Sequence, residues 1–290
     1  MPNSASVVLV DVQDRVATVT LHRPEARNAM SRALSFALWD AILAAGNDPE
    51  IDAVVLTGTD PAFCAGVDLK EAGGSAPSTA EVRAPGAGPE RYPNGLYRFL
   101  PVIDKPIIGA INGVAVTGGL ELALQCTFLV ASERARFADT HARVGVMPGG
   151  GITVQLARIV GLPKAIEMSL TGNFVTAEEA LRIGLVNHVV PHEDLLAVAR
   201  GLATDIVSND QVGVRKLLLH YRRIANAATL DEAYLMAAVP QRGERDVANA
   251  GGEALRAGMA VDHQDSHQAF SPDPGLARPR NRKVLPALKS

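Results

Sequence analysis

The alternation of apolar and polar positions changes period several times along the chain. "VVLVDV" and "RVATVTL" are short apolar-rich runs on either side of the polar pair Gln13-Asp14, a pattern that predicts an opening hairpin. In "RPEARNAMSRALSFALWDAILAAGND" a polar turn gives way to four-residue steps, with Leu34, Leu38 and Ile42 on one helical face. "DAVVLTG" is short and wholly apolar, the mark of a strand buried on both faces, and Gly58 ends it. "KPIIGAING" at 105–113 and "TFLVAS" at 127–132 repeat that design. Strands separated by helical stretches predict an α/β fold with largely parallel pairing.

Beyond residue 150 the pattern turns helical. "TAEEALRIG" opens with a predicted capping box of Thr176 and Glu179, each side chain satisfying a free backbone N–H. "HEDLLAVARGLATDIV", "VGVRKLLLHYRRIANAA" and "DEAYLMAAV" follow as amphipathic helices. This divides the chain into a core over 1–200, a helical region over 201–262 and a basic, Pro-rich tail over 263–290, read as solvated. The stretch from about 71 to 95, rich in Ala, Gly, Pro and Ser, reads as a lid or binding loop.

Composition narrows the class. Hydrophobic residues make up 47% and charged residues 20% of 290, ordinary for a globular protein with a sizeable core. A net charge of −3 gives no electrostatic reason to expect nucleic acid or an anionic membrane as partner. Cys64 and Cys126 match neither a CxxC nor a metal-ligand spacing, and no segment reads as a signal peptide or membrane span. These features lead to the expectation of a reduced, cytoplasmic chain.

Two stretches carry candidate chemistry. In "AVTGGLELALQC" two glycines follow an apolar strand and start a helix whose first N–H groups are unpaired, a receptor for a developing negative oxygen. Glu121 shares the side of Gly118 among apolar neighbours, where loss of water raises a carboxyl toward the range useful for acid–base work. A helix cap is the alternative role for Glu121, and this stretch alone weighs the two evenly. In "DPAFCAGVDLKEA" a second strand ends in a small-residue loop, leaving the N–H of Val67 exposed, and a short helix is predicted near Asp68. There is no Lys-Ser/Thr after the glycines of "PGGG", no GxGxxG after a strand and no GxSxG, and the histidines form no metal-ligand grouping.

"LHRPEARNAM", "FCAGVDLKEA", "AINGVAVTGGLELAL", "FADTHARVGVMPGGG" and "LTGNFVTAEEALRIGLVNHVV" resemble, in order and spacing, the crotonase (enoyl-CoA hydratase/isomerase) superfamily over residues 5 to 205. The resemblance implies a ββα spiral core with a C-terminal helical oligomerisation region, assembled as a homotrimer or hexamer. It implies acyl-CoA thioesters as substrates, as in fatty-acid β-oxidation, with coenzyme A part of the substrate and no metal or redox cofactor. The N–H groups of Val67 and Gly118 would form an oxyanion hole, and Ala26, Arg27, Ala65, Asp68, Leu69 and Lys70 would line the CoA path.

In the hydratases of that family two glutamates hold a water and deliver it across the α,β double bond. One matches Glu121, while the other falls on His141, and Gly149 matches the glycine that helps hold the water. The imidazole can serve as proton donor to Cα, its ordinary pKa of about 6.5 suiting the role. Alternatively, the position is a replacement in a paralogue with weakened chemistry, or Asp139 supplies the second carboxylate. The leading expectation is an enoyl-CoA hydratase. The alternatives are a related isomerase or thioester hydrolase, and an acyl-CoA-binding protein without turnover. The C-terminus does not reproduce the lysine-bearing helix with which the family usually ends, and the 71–95 loop is expected to set acyl length.

Overall fold

The computed structural model describes residues 6–68, 70–71, 98–225 and 227–243, with side chains to residue 236. Leu69, nearly all of the 71–95 loop, residues 244–262 and the 263–290 tail lie outside the described residues.

The chain opens with the antiparallel hairpin β1 (Val8–Gln13) and β2 (Val16–Leu21). Its turn falls one residue later than the sequence suggested, on Asp14 and Arg15, because Gln13 still pairs with Val16. Both turn residues have positive φ, 48° and 64°, the twist that suits a two-residue hairpin. Arg15 is held in this unusual conformation by its side chain, which donates to Asp52 Oδ2 at 2.5 Å and Pro49 O at 2.7 Å.

Helix α1 (Arg32–Asn47) is capped by Ser31, whose hydroxyl accepts from Leu34 N at 3.1 Å. Its buried stripe is Leu34, Leu38 and Ile42, as the four-residue period predicted. Next come β3 (Ala53–Gly58) and the short β4 (Ala62–Cys64). The design is then repeated by β5 (Ile107–Ile111) with β6 (Val114–Val116), and by β7 (Phe128–Ser132) with β8 (Arg136–Ala138). Helix α2 (Gly118–Leu124) follows β6.

Each repeat sends its long strand to one sheet and its short strand to another. The six-stranded sheet runs β1-β2-β3-β5-β7-β10, with β10 at His188–Val190, and is parallel apart from the hairpin. The four-stranded sheet runs β4-β6-β8-β9, where β9 is Val175–Thr176 and pairs antiparallel with β8. This is the expected ββα spiral.

Strand alternation explains why β3 is buried throughout. Val54 and Leu56 face the core that α1 closes, whereas Ala53 and Val55 face Leu195, Ala199 and Ala203 of α7 (Leu195–Val207) on the other side. The helices α3 (His141–Val144), α4 (Ile152–Val160), α5 (Leu162–Thr171) and α6 (Ala177–Arg182) lie between β8 and β10 in the chain. At α6 the predicted capping box is half made. Thr176 Oγ1 accepts from Glu179 N at 3.2 Å, but the Glu179 carboxylate is drawn to Arg182 and Lys164. Near Asp68 the predicted helix does not form among the described residues; Val67 bridges to Met30 instead, and the Asp68 N–H is taken by Met30 O.

Helix α8 (Gln211–Ile224) and helix α9 (Leu230–Gly243) follow. By contact density the chain divides into units Met1–Arg222 and Arg223–Ser290, so α9 belongs to the second. No described helix is long and apolar enough to cross a membrane.

Candidate active site

The site is built where β4 and β6 end side by side. Strand β6 runs into Thr117, whose backbone takes φ 48° and ψ −120°, a conformation uncommon for any residue but glycine. It is pinned there by Thr117 N donating to Ala138 O at 3.1 Å and by its own hydroxyl donating to Val116 O at 2.7 Å. Two glycines permit the close approach. A Cβ on Gly66 would lie 2.2 Å from Thr117 Oγ1, and one on Gly119 would lie 2.1 Å from Cys64 O.

That packing brings Val67 and Gly118 together: a Cβ on Gly118 would lie 3.4 Å from Val67 Cγ2, 3.3 Å from Phe99 Cζ and 3.0 Å from Met30 Cε. Among the described residues, neither the Val67 N–H nor the Gly118 N–H, the first of α2, has a backbone partner. Two main-chain donors from separate strand ends therefore share one apolar-walled corner.

Glu121 lies on the first turns of α2 and is 3% exposed. It does not cap its own helix, the alternative left open by the sequence. Its Oε1 instead accepts from Gly150 N at 2.8 Å and Ile152 N at 3.3 Å, across the site. Burial pushes its carboxyl above the usual range, although the charge of His141 and these two N–H bonds work against the shift. Gly150 has no room for a side chain, since a Cβ there would lie 2.6 Å from Phe99 Cε2 and 2.7 Å from Glu121 Oε2. Gln125 ties the surroundings together: its Oε1 accepts from Phe99 N and Leu100 N, both at 3.0 Å, and its Nε2 donates to Gly150 O at 3.3 Å.

His141 opens α3, buried, with Nε2 3.8 Å from Glu121 Oε2. Its Nδ1 donates to Asp139 Oδ1 at 2.6 Å, and the hydroxyl of Ser169 on α5 donates to Asp139 Oδ2, also at 2.6 Å. Burial would raise the Asp139 carboxyl, but the bonds from His141 and Ser169 outweigh it and hold the group below the ordinary carboxylate range. Both Asp139 oxygens are thus engaged, one by His141 and one by Ser169. Gly149 is exposed, and the N–H that reaches Glu121 belongs to its neighbour Gly150.

Of the residues expected along the CoA path, Leu69 lies outside the described residues, and the others fall on two neighbouring loops. Ala26 ends a 3₁₀ turn, Arg27 (φ 50°) is exposed, and Ala65 N donates to Arg27 O at 3.0 Å. Asp68 pairs with Arg23 at 3.1 Å and accepts from Lys70 N at 3.1 Å. Behind them the fully buried Asn28 accepts from Arg23 N and donates to Thr59 O and Ala62 O at 2.7 and 2.6 Å. Sequence reasoning missed Arg23, Asn28, Gln125 and Ser169. Their partners lie 5 to 45 positions away, a spacing with no local signal. Both cysteines are free, and burial pushes each thiol up to about 12, so neither offers a thiolate.

The family profile described as "Enoyl-CoA hydratase/isomerase" matches residues 11–239. This chain belongs to that family. The enoyl-CoA hydratase/isomerase family relatives include "Probable enoyl-CoA hydratase 1, peroxisomal" of Arabidopsis thaliana, 39% identical over 214 residues, which are 73% of this chain and 77% of that protein. An enoyl-CoA hydratase structure from Mycobacterium avium superposes with a TM-score of 0.68 at 47% identity, covering 81% of this chain and 96% of that one. A structure described as a monofunctional enoyl-CoA isomerase from M. smegmatis is also similar, with TM-score 0.64 and 29% identity over 79% of this chain and 99% of that one.

Proposed function

We propose that this chain is an enoyl-CoA hydratase, adding water across the α,β double bond of a trans-2-enoyl-CoA to give a 3-hydroxyacyl-CoA. The observation that carries the reading is the pairing of two buried acid–base groups, Glu121 and His141, at 3.8 Å. An oxygen about 2.8 Å from each can sit at the apex between them.

In this reading the thioester oxygen accepts hydrogen bonds from the N–H groups of Val67 and Gly118. The Glu121 carboxylate, made more basic by burial, takes a proton from the apex water as its oxygen attacks Cβ. The π electrons move to the thioester oxygen as an enolate, which the two N–H groups stabilise. Imidazolium His141 delivers its proton to Cα, and the enolate electrons form that C–H bond. The proton on Glu121 then returns to His141 through the next water to occupy the apex, so one water is consumed per turnover. These steps call for no metal or redox cofactor, and Gly149 would flank the water. Ala26, Arg27, Ala65, Asp68, Leu69 and Lys70 would guide the CoA moiety.

The same reading takes the chain as a cytoplasmic homotrimer or hexamer. Exposed apolar side chains on α8, among them Val212, Leu217 and Tyr221, support an oligomer. Isomerisation is the second reading, favoured by the 29%-identical isomerase and open to the same pair of groups.

Hydration of crotonyl-CoA and of a longer enoyl-CoA, followed by loss of the conjugated thioester absorbance, tests the proposal. Turnover that falls at least ~10²-fold in Glu121→Gln supports it. Turnover unchanged in that variant removes Glu121 from the reaction.

A further inference from the structure

We propose that Asp139 and Ser169 are positioning residues that make a histidine usable as the proton donor of this site. The inference rests on the hydratase reading of Glu121 and His141 and adds to it what a histidine at position 141 requires.

An ionised carboxylate can only accept, so the 2.6 Å contact from Asp139 Oδ1 places the ring proton of neutral His141 on Nδ1. The lone pair is then on Nε2, the atom 3.8 Å from Glu121 Oε2. A neutral ring in that tautomer has no proton to give on the reacting side. It becomes a donor only as imidazolium, in which the Nδ1 proton stays hydrogen-bonded to Asp139 Oδ1 and a second proton sits on Nε2. Ser169 holds the second carboxylate oxygen from another helix, 30 residues away, and so fixes the direction in which Asp139 points. A glutamic acid at 141 would carry its own proton on the reacting side and need neither partner.

A second chain of the same residue types shows that the free nitrogen is the distinguishing feature. His192 bonds Ser132 Oγ through Nδ1 and Asp60 Oδ2 through Nε2, both at 3.0 Å, so each ring nitrogen is occupied and Ser132 is fully buried. That chain joins the end of β7 to the loops around it. Among the described residues His141 is hydrogen-bonded through Nδ1 alone, and Nε2 faces the candidate base.

Among the described residues, the charged and polar groups around His141 are these. Glu121 approaches from α2, and Asp139 and Ser169 occupy the other side. Arg143 on α3 turns away to Thr171 O and Asn173 Oδ1, and Lys164 of α5 pairs with Glu167 and Glu179.

Two measurements on the full chain test the proposal. The first is independent of turnover: a ¹⁵N–¹H correlation of the His141 ring, expected to show Nδ1 protonated and Nε2 bare in the neutral form. Neutral His141 protonated on Nε2 overturns the proposal. The second compares Asp139→Asn in the wild type and in His141→Glu. Asn keeps the shape and can still accept from the His141 ring and backbone N–H. In the wild type we expect kcat to fall about 10²-fold with little change in KM. Ser169→Ala should cost about tenfold and Ser169→Thr restore most of it. In His141→Glu, Asp139→Asn should not lower kcat, since no imidazolium remains to support. An equal loss in both backgrounds would mean that Asp139 only holds the turn into α3, and the proposal falls. If the wild type hydrates no enoyl-CoA, the hydratase reading fails separately, and the ring tautomer still decides the role of Asp139 and Ser169.

Discussion

Gly150 N donates to Glu121 Oε1 at 2.8 Å, so the candidate base is held by main chain from a loop 29 residues further on. That geometry leaves Oε2 facing His141 and gives the loop a direct hold on the position of the carboxylate.

Glu121 is expected to cost stability. Its carboxyl sits above the usual range in the folded chain, so the fold binds more protons than the unfolded chain in the interval between the two values. Stability linked to this group is complete below the unfolded value and is lost as pH rises through the folded one. Glu121→Gln, which keeps the acceptor for Gly150 N, should therefore melt higher than the wild type at pH 7.5, with the gap closing toward pH 4. Thermal unfolding at both pH values checks this; equal melting temperatures at pH 7.5 would contradict the sign.

Gly150→Ala should cripple turnover. The new methyl would meet Phe99 Cε2 at 2.6 Å and Glu121 Oε2 at 2.7 Å, so either the loop or the carboxylate must move. A displacement near 1 Å at a reacting group is worth about 10²-fold in kcat. Gly149→Ala makes a structural control, because nothing lies within 4 Å of its added Cβ and its melting temperature should match the wild type. Steady-state rates and melting curves for the pair separate misplacement from unfolding.

Asp52 governs an acid-sensitive contact. It is buried between Arg15 at 2.5 Å and Arg215 at 3.1 Å. Burial raises its carboxyl, but the two guanidinium groups outweigh that and hold it below the ordinary range. Its stabilisation is therefore present above the unfolded value near 3.9 and disappears as pH falls through the lower folded value. Asp52→Asn should lose about 2 kcal/mol at pH 7, at the modest end because both arginines are partly in water. Denaturant titrations at pH 7 and below pH 3 should show that deficit and its disappearance.

Asn28→Ala should destabilise by about 3 kcal/mol, since it strips partners from Thr59 O, Ala62 O and Arg23 N. The loss should also raise KM for the acyl-CoA more than it lowers kcat, because Asn28 adjoins Arg27 of the expected CoA path and none of its bonds reaches Glu121. A kcat loss larger than the KM rise would place Asn28 nearer the chemistry than its bonds suggest.

Much of this was legible in the chain itself. The buried strands declared themselves because a strand covered on both faces has no polar alternation, and α1 because its stripe repeats every four residues. Gly118 and Glu121 stood out because paired glycines and a lone acid break an apolar run. What sequence could not show was pairing across the fold. Ser169 meets Asp139 only once α5 is packed against α3, and Arg23 meets Asp68 only across the Met30–Val67 bridge. The cap expected as one role for Glu121 gives way because its Oε1 is taken by N–H groups of a loop beyond its own helix, a pairing no local pattern announces. The helix expected at Asp68 gives way because Met30 O claims the Asp68 N–H.

The two candidate proton carriers are mounted independently. Glu121 hangs from the backbone amides of Gly150 and Ile152, while His141 leans on the side chains of Asp139 and Ser169. His141, Asp139 and Ser169 thus form a unit of three residues whose bonds do not run through Val67 or Gly118. One proton carrier is fastened by main chain and the other by side chains, so point substitutions reach the second more directly than the first.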